Sequence, residues 1–340
     1  MTPKRPFAPP KTIIPVASGK GGVGKSLFSA NLAVALARMG HSTIAVDLDL
    51  GGANLHTCLG MPNALPGIGD LLKSNTGKAT DLLVQTPIPQ LRFLPGDGQA
   101  PFMANLSHGQ RVRLIRAVRD LPARYVILDL GAGTSFNTLN LFGISTSGIV
   151  VTTFETTAVM NSMMFLRNFI FRMLSGIACK DEKTFSRLLK AFEQPGNDGT
   201  TTLQGLTAIL ESVNPALAAS AAQFCGRFRP RIVFNMGDHP DELAVLHKIT
   251  AALKNGLSMA PEYLGFLFHD HEVRQAAKNR ETLLIHRPSC SFSSGMVRIA
   301  ERVDRAWDGP MPDSPARLVQ ETRAAYTTMA RYAPWEKAAG

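Results

Sequence analysis

No stretch of this sequence runs apolar for the roughly 18 residues that a bilayer crossing needs, so no membrane-spanning helix is expected. Cysteine is scarce. Cys58, Cys179, Cys225 and Cys290 stand far apart, and none belongs to a Cys-x-x-Cys pair. That spacing signals neither a zinc knuckle nor a cluster site, and free thiols suit a cytoplasmic setting. The opening Met1-Thr2-Pro3-Lys4-Arg5-Pro6 is basic but has no apolar stretch behind it, so no secretory signal is expected, and residues 1–11 read as a flexible basic arm. What is present is globular: 45% hydrophobic residues over 340 positions can bury one elaborated domain, or a domain with an insertion. The net charge of +10 favours an anionic partner surface, nucleic acid or acidic lipid, without requiring either.

Against that background one stretch stands out, Gly19-Lys20-Gly21-Gly22-Val23-Gly24-Lys25-Ser26. It has phosphate-loop spacing: a glycine, four residues, then Gly-Lys-Ser. Thr12 to Val16 before it reads as a short buried strand, and Ser29 to Met39 after it as a helix closed by Gly40 in the C′ position. Glycines let successive backbone N–H groups turn toward one anion, and the helix N-terminus adds its positive end. Lys25 would reach the β- and γ-phosphates of a nucleotide, and the Ser26 hydroxyl would ligate Mg²⁺.

Two further apolar runs end in acid. Ser42 to Asp49 finishes on Asp47 and Asp49, which share one strand face because strand side chains alternate. Arg124 to Gly133 finishes on Asp129, with Gly131 and Gly133 just beyond. Carboxylates at strand C-termini beside a phosphate loop suit a magnesium shell and a group that positions water. Glycines there let the backbone approach a ligand closely.

These residues, with Asp47-Leu48-Asp49-Leu50-Gly51-Gly52-Ala53-Asn54-Leu55, resemble the MinD/ParA family of P-loop ATPases, and most of all its FlhG/FleN branch. The family's mark is a deviant phosphate loop with an extra early lysine, here Lys20. The resemblance spans about residues 11–175 and 229–305. It implies a doubly wound, mostly parallel α/β sheet that binds ATP or ADP with Mg²⁺ at the strand C-termini. It implies that Lys20 reaches across a nucleotide-sandwich homodimer to the partner subunit's phosphates, that Asp49 orients the attacking water, and that Asp47 supports the magnesium shell. Asp129 resembles the Walker B aspartate, and Gly131 and Gly133 the switch that senses the γ-phosphate. The residue after Ser26 is often polar in the family, where it helps hold the α-phosphate; here it is Leu27. Asn235, ending the apolar run Arg231 to Asn235, stands where relatives place an asparagine that reads adenine, although Asn-Met-Gly-Asp is also an ordinary turn opener. Phe154 replaces a usual proline.

The resemblance implies a slow ATPase switch, closed by ATP and opened by hydrolysis, that positions a structure such as the flagellar basal body or a polar or division machine, with an activating or cargo protein. The alternative is a partition-type ATPase that binds DNA without sequence preference. Either would be cytoplasmic, or peripheral at the inner membrane or nucleoid.

Three features fall outside the family pattern. About 55 residues between the helix ending near Leu174 and the strand at Ile232 read as three helices, Thr184–Phe192, Leu203–Val213 and Pro215–Phe228, joined by a loop at 195–199. They serve either a partner or packing. After Asp308, a proline-rich linker at 309–315 precedes a helix from Ala316 to Tyr332 with Leu318, Ala325, Tyr326 and Met329 on one face. That face suits a membrane surface or the protein's own body, and Tyr332 and Trp335 either anchor at an interface or pack inward. The expected domains are therefore the arm 1–11, an ATPase domain 12–307 with a helical insertion at about 175–229, and the linker and helix 308–340. The densest basic groups are Arg227 to Arg231 and Arg274, Lys278 and Arg280, and His269-Asp270-His271-Glu272 is too weakly spaced to signal a metal.

Overall fold

A computed structural model describes residues 11–62, 65–74, 77–96, 106–178, 182–193, 203–257 and 259–332. Along the chain, β1 (Thr12–Ala17) leads through the phosphate loop into α1 (Lys25–Arg38), then β2 (Thr43–Leu48), α2 (Leu55–Cys58), α3 (Ile68–Lys73), β3 (Val84–Gln85) and β4 (Leu91–Leu94). Next come α4 (His108–Asp120), β5 (Tyr125–Leu130), α5 (Phe136–Phe142), β6 (Ser147–Thr152) and α6 (Thr156–Ala178). The insertion follows as α7 (Glu182–Glu193), α8 (Leu203–Val213) and α9 (Pro215–Arg227), and then β7 (Arg229–Gly237), α10 (Leu246–Leu257) and β8 (Glu262–Phe268). The chain closes with α11 (His271–Asn279), α12 (Leu283–His286), α13 (Ser291–Ala306) and α14 (Ser314–Tyr332).

The strands make one sheet in the order β3-β4-β2-β5-β1-β6-β7-β8. Every pairing is parallel except that of β3, a two-residue strand that joins β4 antiparallel. This is the expected doubly wound α/β architecture. Parallel strands buried on both faces read as unbroken apolar runs, and β2 and β5 are buried at every residue. Alternate residues serve opposite cores: Ile44, Val46, Val126 and Leu128 face α4 to α6 and the insertion, while Ala45, Tyr125 and Ile127 face α1 and α13. The register sets Asp47 directly beside Asp129 at the C-terminal ends of neighbouring strands. In this way the sheet itself brings the two acids together.

The three insertion helices form where their signals place them. Asn214 caps α9 by accepting from Ala216 N at 3.0 Å, with Pro215 as the first helical residue. Leu188, Leu206, Leu210 and Ala221 turn inward onto Phe169 and Phe228 of the main core. The loop expected at 195–199 lies outside the described residues.

At the far edge, α14 lies on β8. Leu318 is buried, Tyr326 stacks on Phe268 at 5.9 Å, and Tyr263 N donates to Ser314 Oγ at 3.1 Å. The face that suited either a membrane or the protein's own body is therefore seated on the body. The Tyr332 side chain and Trp335 lie outside the described residues. One expectation is corrected here. Arg231 belongs to one of the densest basic groups, which ordinarily form solvated faces, yet it is wholly buried. Its Nε donates to Glu262 at 3.0 Å, its guanidinium stacks on Trp307 at 4.3 Å, and a further N–H meets Gly309 O at 2.9 Å. Burial lowers its pKa, against the pull of Glu262. A charge is tolerated in such a place only when paired and hydrogen-bonded. No helix among the described residues is long and apolar enough to cross a membrane.

Candidate functional site

Gly22 and Gly24 both adopt left-handed backbone, with φ of 84° and 83°, and Gly24 is the N-cap of α1. The helix therefore starts at Lys25, four residues earlier than the apolar pattern indicated, and its first N–H groups open onto the phosphate loop. Gly19 is fixed by space, since a Cβ there would lie 2.2 Å from the backbone of Asn161 in α6. Ser18 carbonyl accepts from Gly133 N at 2.9 Å, which ties the loop to the turn after β5.

Lys25 is buried, and its Nζ lies 2.9 Å from Asp129 Oδ1 and 3.8 Å from Asp49 Oδ2. Ser26 Oγ is 3.4 Å from the same Nζ. Asp129 is fully buried; Ser29 Oγ also donates to its Oδ1, at 2.8 Å, while Oδ2 has no partner. Asp47 Oδ1 accepts from Asp49 N and its Oδ2 from Leu55 N, both at 3.1 Å, so this carboxylate organises the loop that carries Asp49. Burial, and then the neighbouring Asp129, push Asp47 up to about 7. Burial also raises Asp49, against the attraction of Lys25. Asp49 Oδ1 stands 3.4 Å from where a Cβ on Gly131 would be, so the turn after β5 lies in contact range of this carboxylate.

The cluster holds three carboxylates against one ammonium, and an orphaned Asp129 oxygen faces into it. That donor set is hard and anionic, which fits a divalent cation carried by a polyphosphate. Ser26, Asp47 and Asp129 could serve such an ion. Cys58 lies nearby but is chemically quiet, because burial and the adjacent carboxylates push its thiol up to about 12.

Lys20 behaves differently. It is partly exposed, and its Nζ bonds Glu155 at 2.7 Å and lies 3.5 Å from Thr157 Oγ1 at the start of α6. Asn235 packs against the phosphate loop. Its Nδ2 donates to Val23 O at 2.9 Å, and its buried Oδ1 has no partner. One amide edge is thus spent on the loop, and the Oδ1 acceptor is left without a partner. Leu27 is half-buried and lines the core on the α1 side, with Phe28 beyond it completely buried. Phe154 stacks on Phe234 at 4.5 Å, which gives a packing use for the residue that replaces proline. Among the described residues no three His, Cys, Asp or Glu side chains are grouped to hold a metal on their own, and the His269 to Glu272 stretch is used instead as a helix start, with Asp270 capping α11. Sequence reasoning missed Ser29 and Glu155. Ser29 was findable as the residue one turn after Lys25, whereas Glu155 lies 135 residues from Lys20 with no local signal.

Residues 14–283 match the family model described as the CobQ/CobB/MinD/ParA nucleotide binding domain. Among curated proteins, the antiactivator FleN of Pseudomonas aeruginosa is 24% identical over 309 residues, covering 90% of each chain. The septum site-determining protein MinD of Synechocystis is 34% identical over 148 residues, 43% of this chain and 55% of that one. Among solved structures, MinD of Pyrococcus horikoshii complexed with Mg-ADP superposes with a TM-score of 0.56 at 20% identity, covering 87% of this chain and 97% of that one. Cobyrinic acid a,c-diamide synthase of Mycobacterium smegmatis with bound ADP and magnesium gives 0.54 at 19%, covering 88% and 96%.

Proposed function

Since this chain belongs to the CobQ/CobB/MinD/ParA nucleotide-binding domain family, we propose that it is an ATP-hydrolysing, dimerising switch of the MinD and FlhG/FleN kind, which positions a cellular structure such as flagella or a polar or division machine. The observation that carries the reading is the pair of lysines on one loop. Lys25 is buried among Asp129 and Asp49, while Lys20 points to the surface. In this reading the α1 N-terminus and the backbone of Gly21 to Lys25 bind the phosphates, Lys25 neutralises them, Lys20 reaches the second subunit, and Asn235 Oδ1 accepts from the base. Asp49 orients water beside the close approach of Gly131. Ser26, Asp47 and Asp129 would hold magnesium, which supplies charge neutralisation on the phosphates. The domain organisation follows: 12–307 bind and hydrolyse, with the 175–229 helices as an insertion and 308–340 as a linker and C-terminal helix.

The energetic logic is a population shift, in which the γ-phosphate favours the closed dimer and its loss removes that preference. Sedimentation with a non-hydrolysable ATP analogue and Mg²⁺ tests it: wild type should run as a dimer, and Lys20→Ala as a monomer that still binds nucleotide. Asp49→Ala should dimerise on ATP yet lose turnover by at least about tenfold, at 1.4 kcal/mol per factor of ten. A monomeric wild type, or turnover unchanged in Asp49→Ala, overturns the reading.

A further inference from the structure

On the α1 side of the sheet a cavity of about 530 Å³ opens between the last turn of α1, the end of α2, the β3–β4 turn and the α11–α12 segment. It is a distinct opening: α1 begins at the phosphate site with Lys25 and reaches the cavity with Arg38, 13 residues or about 20 Å later, while the short α2 starts at Leu55, whose N–H bonds Asp47, and is capped by Leu59 in the cavity lining. The floor is apolar, formed by buried Leu59 and Ile88, and Ile285 stands at the wall with 41% of its surface exposed. Arg38, Arg280 and His286 line the same space, and no carboxylate does.

The Arg38 side chain and the Arg280 backbone are held in place. Arg38 Nη1 donates to Leu284 O at 2.9 Å, and Leu284 N in turn donates to the buried Asn31 Oδ1 at 3.1 Å, so α12 is fastened to α1. Arg280 caps α11 with a left-handed backbone, φ 55°, and its carbonyl lies 3.0 Å from where a Cβ on Gly60 would be. Among the described residues neither arginine has a carboxylate within 4 Å; of the acids of this neighbourhood, Glu272 bonds Arg287 at 2.6 Å and Glu281 Oε2 lies 3.8 Å from the same guanidinium. A concave apolar floor with convergent positive groups, in the volume range of small-ligand sites, selects for an apolar body with one anionic end.

We propose that this cavity is a second binding site, which takes an amphipathic anion: a carboxylate carried on a compact apolar chain. Burial of the chain against Leu59, Ile88 and Ile285 supplies most of the affinity, at about 25 cal/mol per Å². The arginines fix the orientation. The inference does not depend on nucleotide hydrolysis or dimerisation.

Isothermal titration of the full chain with decanoate tests it, with acetate as the head without the chain and decyltrimethylammonium as the chain with the opposite charge. Decanoate should bind one to one, and acetate and decyltrimethylammonium at least tenfold more weakly. Arg280→Glu and Ile285→Asp should each weaken decanoate at least tenfold while binding of a fluorescent ATP analogue stays unchanged, which shows the variants folded. Arg280→Lys should retain most of the binding. No saturable decanoate binding, equal binding of decyltrimethylammonium, or a dissociation constant unmoved by both variants overturns the proposal.

Discussion

Replacing Lys25 by methionine separates two roles that the site combines. In the wild type the Lys25 ammonium is 2.9 Å from an Asp129 carboxylate with no solvent exposure. Methionine keeps the bulk of the side chain and removes the charge. Asp129 then retains only the Ser29 hydroxyl, its second oxygen having no partner already. Breaking a buried pair by removing one member costs about 3–5 kcal/mol, because the remaining charge stays desolvated. Nucleotide-free protein unfolded in urea should lose about that much. Adding Asp129→Asn should return stability to within about 1 kcal/mol of wild type, since the uncompensated charge goes and the amide still meets Ser29. Nucleotide binding should not return. Mg-ATP at 100 times its dissociation constant stabilises a binder by about 2.7 kcal/mol, and neither variant should show that gain. A Lys25→Met protein within about 1 kcal/mol of wild type would refute the reasoning, as would a double variant no more stable than the single.

Three other outcomes follow from local geometry. Gly24→Ala puts a Cβ 2.3 Å from Asn235 Nδ2 at a φ of 83°, so affinity for a fluorescent ATP analogue should fall at least about tenfold; an unchanged affinity would show that the loop has room to move. Asp270 would be raised by burial, but the Ser291 hydroxyl at 2.6 Å and the amides of Glu272, Phe292 and Ser291 hold it below its ordinary value. Its stabilisation is present above the unfolded pKa and is lost as pH falls through the folded one. Asp270→Asn should therefore cost about 1–3 kcal/mol at pH 7 and flatten the acid limb of a urea-midpoint profile. Tyr125 is pushed up to about 12 by burial and then by its hydrogen bond to Asp304, so stability present below pH 10 should decline by up to about 3 kcal/mol between pH 10 and 12; Tyr125→Phe should remove that decline.

What the sequence disclosed were features whose cause is local. Phosphate-loop spacing, apolar runs ending in acid, and helical spacing each act within a few residues, so the loop, the strands bearing Asp47 and Asp129, and the three insertion helices could all be read directly. The helix start shows the limit. Apolar periodicity begins at Ser29, but helical backbone begins at Lys25, because the loop glycines rather than apolar spacing set the boundary. Long-range effects left no trace. Arg231 looked like solvated charge because Glu262, Trp307 and Gly309, which make its burial possible, lie 31 to 78 residues further on. The two-residue strand β3 is too short to carry a period, and the apolar face of α14 does not itself say what covers it; β8 supplies the answer, with Phe268 against Tyr326.

The two lysines of the phosphate loop are five residues apart and physically opposite, and the difference bears on function. Lys25 is immobilised: it is desolvated and paired with a buried carboxylate, and taking it out of the site costs several kcal/mol. Lys20 pairs with Glu155 where both side chains are substantially solvated, at 41% and 64% exposure, and such a pair contributes only about 0–1 kcal/mol. Exchanging Glu155 for another anion therefore costs Lys20 almost nothing, whereas the preceding Gly19 packs so closely on α6 that a Cβ there would meet the Asn161 backbone. A rigid base carrying a weakly held, outward-facing ammonium is what a cross-subunit contact requires. The base fixes where the charge is presented, and the shallow well leaves it free to prefer a phosphate to a carboxylate. Glu155→Gln should for the same reason leave monomer stability within about 0.5 kcal/mol of wild type in urea unfolding, and a larger loss would mean that Lys20 is committed to its own subunit.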